Sequence, residues 1–122
     1  MKVLLFGCTG QVGRELMPEL AGVYQLSISR ARLEDLDAIR GIIRAERPQL
    51  IINSAAYTAV DRAESDPDMA FAVNATAPAL MASEARMLGA TLVHFSTDYV
   101  FDGSGSEPWR EDDRPSPLSV YG

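Results

Sequence analysis

With 122 residues, the chain is long enough for one domain with a genuine core but short for an enzyme that holds both a dinucleotide and a second substrate. A formal net charge of −6 and a pI of about 4.6 argue against nucleic acid and anionic membrane as partners, because such partners select basic surfaces. Cys8 is the only cysteine, and the sequence has neither a leader pattern nor a long apolar run, so we expect a cytoplasmic protein without disulfides.

The first half of the chain alternates short apolar runs with amphipathic stretches, an order typical of a parallel sheet covered by helices. Strands are predicted at residues 1–6, 24–29 and 49–53, and helices at residues 12–20 and 33–46. The run VLLF in the first strand is apolar without alternation, which indicates a strand buried on both faces.

The second half predicts one long helical segment and a fourth strand. The segment covers residues 67–88, where Pro78 is expected to kink the helix or begin a new one and Gly89 follows as its cap. The fourth strand covers residues 91–96, and His94 within it is expected to be a packed core residue. The part up to residue 119 is rich in Gly, Pro, Ser and acidic residues, which leaves an ordered loop and disorder both open.

These elements predict an α/β fold, a Rossmann-type doubly wound parallel sheet with helices on both faces. Between its first strand and first helix lies the motif GCTGQVG. Gly7, Gly10 and Gly13 would let the backbone approach a pyrophosphate, while Gln11 and Val12 begin a helix whose free N–H groups face the phosphates. Glycines also close ordinary βα turns, but the flanking strand and helix favour dinucleotide binding.

The end of the second strand bears on the choice of cofactor. An NAD-selective site usually offers a carboxylate there, whereas this chain has Arg30 and Arg32, which suit the 2′-phosphate of NADPH. The two arginines are also explained as solvated loop residues, and Glu34 lies close by, so NADH stays open as the alternative.

Small residues follow the third strand and leave room for a cofactor across the sheet edge. Ala55, Ala56, Tyr57 and Thr58 are the candidate contacts there, with Val60 beside them. Close packing of a helix explains the alanines equally well.

A hydroxyl at the end of the fourth strand and a tyrosine after a loop suggest a redox site. Thr97 and Tyr121 could hold a carbonyl oxygen between two hydrogen-bond donors while hydride arrives from a cofactor.

Together the motifs resemble the dTDP-4-dehydrorhamnose reductase family, which are extended short-chain dehydrogenase/reductases acting on a nucleotide sugar. The resemblance covers essentially the whole chain and rests on GCTGQVG, NSAAYTAVDRAE, FSTDYVFDG and PLSVYG. The second and third of these blocks are far more particular to this family than the first.

The resemblance implies NADPH-dependent reduction of the 4-keto group of dTDP-4-dehydro-L-rhamnose to dTDP-L-rhamnose, for cell-surface polysaccharide. It implies Thr97 as the catalytic hydroxyl, Tyr121 as the general acid, and Val60, Thr97 and Asp98 as substrate contacts. The implied cofactor contacts are Gly10, Gln11, Val12, Ala56, Tyr57 and Thr58. The catalytic lysine of the family's YxxxK motif and most of its sugar-nucleotide domain are expected beyond residue 122. Residues 1–122 are then an incomplete NAD(P)-binding domain, inactive alone.

Two other functions remain open. One is a regulatory nucleotide-binding subunit resembling the β-subunit of methionine adenosyltransferase, and the other is a different extended family member such as a nucleotide-sugar epimerase or dehydratase. The run from Thr97 to Phe101 favours the reductase over the epimerase.

The resemblance also implies a homodimer for the longer protein, with magnesium at its interface in some members. Glu15 matches one position of that magnesium site. A single carboxylate does not make a metal site, so no metal is expected in this chain.

Overall fold

The computed structural model describes residues 1–122 and contains a four-stranded parallel sheet in the order β2-β1-β3-β4. The strands are β1 (Lys2–Phe6), β2 (Gln25–Ser29), β3 (Leu50–Asn53) and β4 (Thr91–His94). All strands are parallel, and because β2 lies on one side of β1 and β3 on the other, the order in which successive strands are added reverses between β1 and β3. The carboxyl ends of these two strands therefore border the crevice where open α/β sheets bind their ligands.

The connections between the strands are helical. They are α1 (Gln11–Ala21), α2 (Leu36–Glu46), α3 (Val60–Ala63), α4 (Pro67–Phe71) and α5 (Ala77–Leu88). A π-helical turn, Ala72–Thr76, joins α4 to α5, and a short 3₁₀ turn covers Asp98–Val100. None of the helices combines the length and the apolar character that crossing a bilayer demands.

Helices cover both faces of the sheet, which confirms the predicted doubly wound α/β fold. Val3 and Leu5 of β1 contribute to the core beneath α1. Leu4 and Phe6 contribute to the opposite core, which α2 and α5 cover. Successive side chains of a strand point to opposite faces, so a strand packed on both sides is apolar at every position.

An ion pair joins α2 to α5 on the second face. The guanidinium of Arg44 donates two hydrogen bonds of 2.8 Å to the carboxylate of Glu84, which is only 2% exposed. Arg40 approaches the same carboxylate at 3.5 Å. The bond from Arg44 is the main cause that holds the pKa of Glu84 below its ordinary value.

The predicted helical segment at residues 67–88 exists, and a new helix, α5, begins beside Pro78 as expected. The π-helical turn in front of α5 was not predicted. Pro78 is the second residue of α5, and without an N–H it cannot donate to the carbonyl of Asn74. The preceding turn is wider than an α-turn, and the N–H of Ala77 reaches back five residues to the carbonyl of Ala72. Gly89 ends α5 in the left-handed conformation (φ 66°), as predicted.

The prediction that His94 belongs to the core is wrong. β4 ends at His94, and this residue is exposed. Within residues 1–122, β4 pairs only with β3, so the side chain of His94 has few neighbours there.

Residues 98–122 form an ordered loop, which answers the question that the sequence left open. The N–H of Ser116 donates to the carbonyl of Val100 at 2.8 Å. The rings of Phe101 and Trp109 stack with a centroid separation of 4.5 Å. The later part of the loop therefore folds back on its own beginning.

Candidate functional site

The glycine loop packs directly against the end of β3. Gly7 has a φ of 83°, and a Cβ there would lie 2.7 Å from the backbone carbon of Ser54 and 2.8 Å from the Cα of Ala55. A Cβ on Gly13 would lie 2.8 Å from the Cα of Cys8. Only glycine fits at both positions, because the obstructing atoms belong to the backbone.

Gly10 has a different environment. The only atom within 4 Å of a Cβ built there is the carbonyl oxygen of Gly7, at 3.5 Å. Gly10 is exposed and caps α1 without a side-chain hydrogen bond, so no side chain occupies the N-terminus of this helix. Gly7 thus allows the tight turn, Gly13 allows the close packing of α1, and Gly10 leaves open space. This combination fits the approach of a dinucleotide pyrophosphate.

Hydrogen bonds fasten the start of the loop after β3 to the ends of β1 and β3. The hydroxyl of Ser54 donates to the carbonyl of Phe6 at 2.8 Å. The N–H of Ala55 donates to Oδ1 of Asn53 at 3.1 Å. The predicted cofactor segment, residues 55–58, therefore starts from a fixed position beside the glycine loop.

Asn74 is a site residue that the sequence reasoning missed. Its Oδ1 accepts a hydrogen bond of 2.8 Å from the N–H of Tyr57, and its Nδ2 donates to the carbonyl of Tyr57 at 2.9 Å. Asn74 lies in the π-helical turn, a feature that often marks functional sites. The available signal was a polar side chain inside an alanine-rich helical segment.

The side chain of Tyr57 is partly buried, and its hydroxyl oxygen is buried without a hydrogen-bond partner. Buried polar atoms normally have partners, so this one carries a desolvation cost that the fold does not offset locally.

A cavity of about 430 Å³ lies at the carboxyl end of the sheet. Its lining residues come from α1, the loop after β3, the π-helical turn, the end of β4 and the end of the described chain. They are Val12, Ser54, Ala56, Thr58, Asn74, His94, Phe95, Ser96, Thr97, Val100, Tyr121 and Gly122. The cavity thus brings together three of the predicted cofactor contacts, which are Val12, Ala56 and Thr58, with Thr97 and Tyr121.

Other predicted site residues lie outside this lining. Asp98 lines a neighbouring cavity of about 380 Å³ together with Tyr99 and Trp109. Val60 begins α3, and Arg30 follows β2. Gln11 lines an open cavity on α1 that also contains Val12.

Thr97 and Tyr121 are both held by the 3₁₀ turn. Oγ1 of Thr97 accepts a hydrogen bond of 3.2 Å from the N–H of Tyr99. The same hydroxyl donates a hydrogen bond of 3.3 Å to Oδ1 of Asp98. The ring of Tyr121 packs edge-on against that of Tyr99, with centroids 5.4 Å apart. The long bond to Asp98 leaves the Thr97 hydroxyl able to turn towards a better acceptor.

His94 is a second cavity residue that the sequence reasoning placed elsewhere. Its Nδ1 lies 3.2 Å from Nδ2 of Asn53, a side chain that is fully buried. Because Oδ1 of Asn53 already accepts from Ala55, Nδ2 is the donor, and Nδ1 of His94 is the acceptor. This assignment puts the proton of the neutral imidazole on Nε2.

The two arginines after β2 are not equivalent. Nε of Arg32 donates to Oε1 of Glu34 at 2.6 Å. A backbone hydrogen bond and the Arg32 guanidinium hold the pKa of Glu34 below its ordinary value. Arg30 is exposed and forms no ion pair, so its positive charge is the one available to an anionic ligand.

No group of three or more His, Cys, Asp or Glu side chains in the chain is arranged to hold a metal ion. Glu15 lies on the exposed side of α1.

The chain is similar to known proteins over its whole length. A model of the RmlD substrate binding domain matches residues 1–122. The dTDP-4-dehydrorhamnose reductase of Salmonella typhimurium is 48% identical over the whole chain, and that of Escherichia coli K12 is 44% identical. The chain spans only 43% of the length of each of these relatives.

Solved structures give the same result. A dTDP-4-dehydrorhamnose reductase from Clostridium acetobutylicum superposes with a TM-score of 0.94 at 38% identity, over all of this chain and 45% of that one. A Bacillus anthracis reductase in complex with NADP gives 0.92 at 34% identity, over 98% of this chain and 44% of that one. A UDP-glucose 4-epimerase from Thermus thermophilus, at 24% identity and a TM-score of 0.84, shares the fold. Because the matching family model spans every residue, the chain belongs to the RmlD substrate-binding domain family.

Proposed function

We propose that this chain forms the NADPH-binding part of a dTDP-4-dehydrorhamnose reductase, which reduces the 4-keto group of dTDP-4-dehydro-L-rhamnose to dTDP-L-rhamnose. The observation that carries the proposal is the cavity shared by Val12 and Ala56 from the cofactor side and by Thr97 and Tyr121 from the catalytic side. The substrate comes from the relatives' names, since 48% identity extends over the entire chain.

The residues that would hold the cofactor lie around the crevice between β1 and β3. Gly7, Gly10 and Gly13 with the start of α1 would bind the pyrophosphate, and residues 55–58 would lie beside the nicotinamide. Arg30 would pair with the 2′-phosphate. The NADP complex of the Bacillus anthracis relative supports the choice of NADPH over NADH.

The bound nicotinamide supplies hydride. Thr97 would donate a hydrogen bond to the carbonyl oxygen of the substrate, and the Tyr121 hydroxyl would pass its proton to that oxygen as negative charge develops there. Asp98 and Val60 are proposed to contact the sugar. The hydrogen bonds from Thr97 and Tyr121 would strengthen as this oxygen becomes negatively charged, so they would stabilise the transition state more than the ground state.

Tyrosine needs help to exchange its proton near neutral pH, because its unperturbed pKa is about 10. A neighbouring ammonium group provides this help by favouring the ionised phenol. Lys2 is the only lysine of the chain, and it pairs with Glu46 at 2.8 Å at the amino end of β1, away from the cavity. The proposal therefore requires a lysine from outside residues 1–122.

Two measurements test the proposal. The chain is titrated with NADPH and NADH while nicotinamide fluorescence and circular dichroism are recorded, and saturable NADPH binding by folded protein is expected. In the longer reductase, Tyr121→Phe should preserve NADPH binding and abolish turnover of dTDP-4-dehydro-L-rhamnose. A folded chain without affinity for either nucleotide, or full turnover by Tyr121→Phe, would contradict the proposal.

The same measurements address the other functions. Nucleotide binding without turnover of any dTDP-4-keto sugar by the longer protein would favour the regulatory subunit, and epimerisation of a nucleotide sugar would favour the epimerase. The homodimer and the cytoplasmic location stay predictions, and magnesium is not part of the proposal.

A further inference from the structure

Glu64 makes a contact that joins two distant parts of the chain. Its Oε1 accepts a hydrogen bond of 2.8 Å from the N–H of Val120, 56 positions further along the chain. Glu64 directly follows α3, whose last residue, Ala63, is fully buried. The acceptor therefore stands on an anchored element, whereas the donor lies in a segment without regular secondary structure.

Within residues 1–122, the segment from residue 117 to residue 122 makes few other hydrogen bonds. Its own contacts include the hydrogen bond from the N–H of Gly122 to the hydroxyl of Ser119, at 3.2 Å, and the edge-on packing of Tyr121 against Tyr99. Neither contact reaches an element outside the segment and the 3₁₀ turn. Glu64 is the only side chain before residue 98 that hydrogen-bonds the backbone of this segment.

We propose that Glu64 is a positioning residue for Tyr121, an inference that rests on the proposed reductase function. The carboxylate fixes the backbone one residue before Tyr121 and thereby sets the place of the phenol in the cavity. Glu64 itself contacts neither cofactor nor substrate in this scheme. Its role depends on an acceptor oxygen at the correct distance and not on negative charge.

A misplacement of about 1 Å in a reacting group can lower turnover about 100-fold. We therefore expect Glu64→Ala to lower kcat of the longer reductase at least tenfold while leaving KM for NADPH within about twofold. Glu64→Gln keeps an acceptor oxygen of the same reach, so its kcat should stay within about threefold of wild type. Glu19→Ala is the matched control, because Glu19 is exposed near the end of α1 and forms no ion pair or side-chain hydrogen bond.

A measurement without turnover keeps the inference testable if Glu64→Ala folds poorly. Amide exchange of Val120 in this chain should be slow in the wild type and in Glu64→Gln, and Glu64→Ala should lose this protection if it folds. Fast exchange in the wild type would overturn the proposal, as would unchanged kcat in Glu64→Ala or equal losses in the Ala and Gln variants. An inactive wild-type reductase that still protects the Val120 amide would instead count against the proposed function, which keeps the two failures distinct.

Discussion

The side-chain amide of Asn74 forms two hydrogen bonds with the backbone of Tyr57, one to its N–H at 2.8 Å and one to its carbonyl at 2.9 Å. The two hydrogen bonds resemble those that a neighbouring strand would form, and they hold the loop after β3 in place beside the cavity, which Ala56 and Thr58 line. The amide thus fixes a predicted cofactor segment that has no strand partner of its own.

Asn74→Ala should lower the free energy of unfolding by about 2 kcal/mol, since each of the two hydrogen bonds contributes about 1 kcal/mol. It should also weaken NADPH binding, because the loop at residues 55–58 is no longer held. Urea denaturation and fluorescence titration measure the two effects. Thr76→Ala, at an exposed position of the same π-helical turn, is the control. Equal stability and equal NADPH affinity of the two variants would show that the hydrogen bonds from Asn74 to the Tyr57 backbone contribute to neither.

Gly13→Ala and Gly10→Ala should separate packing from cofactor approach. A Cβ on Gly13 meets the backbone of Cys8 at 2.8 Å, so this variant should lose about 1–3 kcal/mol of stability. Gly10 has open space, so its variant should lose less than about 1 kcal/mol but bind NADPH at least tenfold more weakly. Thermal unfolding and NADPH titration distinguish them. Unchanged NADPH affinity in Gly10→Ala would show that the pyrophosphate does not bind at the glycine loop.

Arg30→Ala should raise the Kd for NADPH about tenfold or more and leave that for NADH within about twofold, since one charge-assisted hydrogen bond contributes about 1.5–3 kcal/mol. Arg32→Ala serves as the comparison and should have a smaller effect, because its guanidinium is bonded to Glu34. Parallel titrations with the two nucleotides provide the measurement. Equal losses for both nucleotides in Arg30→Ala would mean that Arg30 does not recognise the 2′-phosphate.

The ion pair between α2 and α5 should make stability depend on pH. The pKa of Glu84 is lowered from 4.5 in the folded chain, so its stabilising contribution is complete above about pH 4.5 and is lost as the pH falls through the lower folded value. Glu84→Gln should therefore have a lower urea midpoint than wild type at pH 7, and the difference should shrink at acidic pH. Glu19→Gln, on the exposed side of α1, should show no such convergence.

Tyr57→Phe should leave stability unchanged or raise it by about 1 kcal/mol, because the hydroxyl it removes is buried without a partner. The ring and the backbone contacts with Asn74 remain. Calorimetric unfolding of the two proteins provides the measurement. A loss of stability would reveal a partner for the hydroxyl, such as a buried water molecule.

Local sequence patterns were sufficient for most of the fold. The unbroken apolar run of β1 indicated burial on both faces, and the glycine spacing placed the turn into α1, since both features depend on near neighbours in the chain. Asp35 shows the limit of this approach at a boundary. Its side chain accepts from the N–H of Ala38 and starts α2 at Leu36, later than the apolar pattern indicated.

Local sequence patterns could not predict the contacts that complete the candidate site. Asn74 and Tyr57 are 17 positions apart, and Glu64 and Val120 are 56 apart, so no period or local motif relates them. The burial of His94 was mispredicted for a similar reason, because the exposure of a strand residue depends on which elements pack beside that strand, and these elements are distant in the chain. Thr97 and Tyr121 were identified from their chemistry, and their catalytic roles stay predictions.

The π-helical turn also accommodates one residue more than an α-turn would. The hydrogen bond from Ala77 to Ala72 spans five residues where an α-helical bond spans four, so deletion of one residue from Ala72–Thr76 would let the turn close as an ordinary α-turn and would change the position of Asn74 relative to Tyr57. Related chains can be expected to conserve the length of this turn more strictly than its sequence, apart from the asparagine that it presents to the loop after β3.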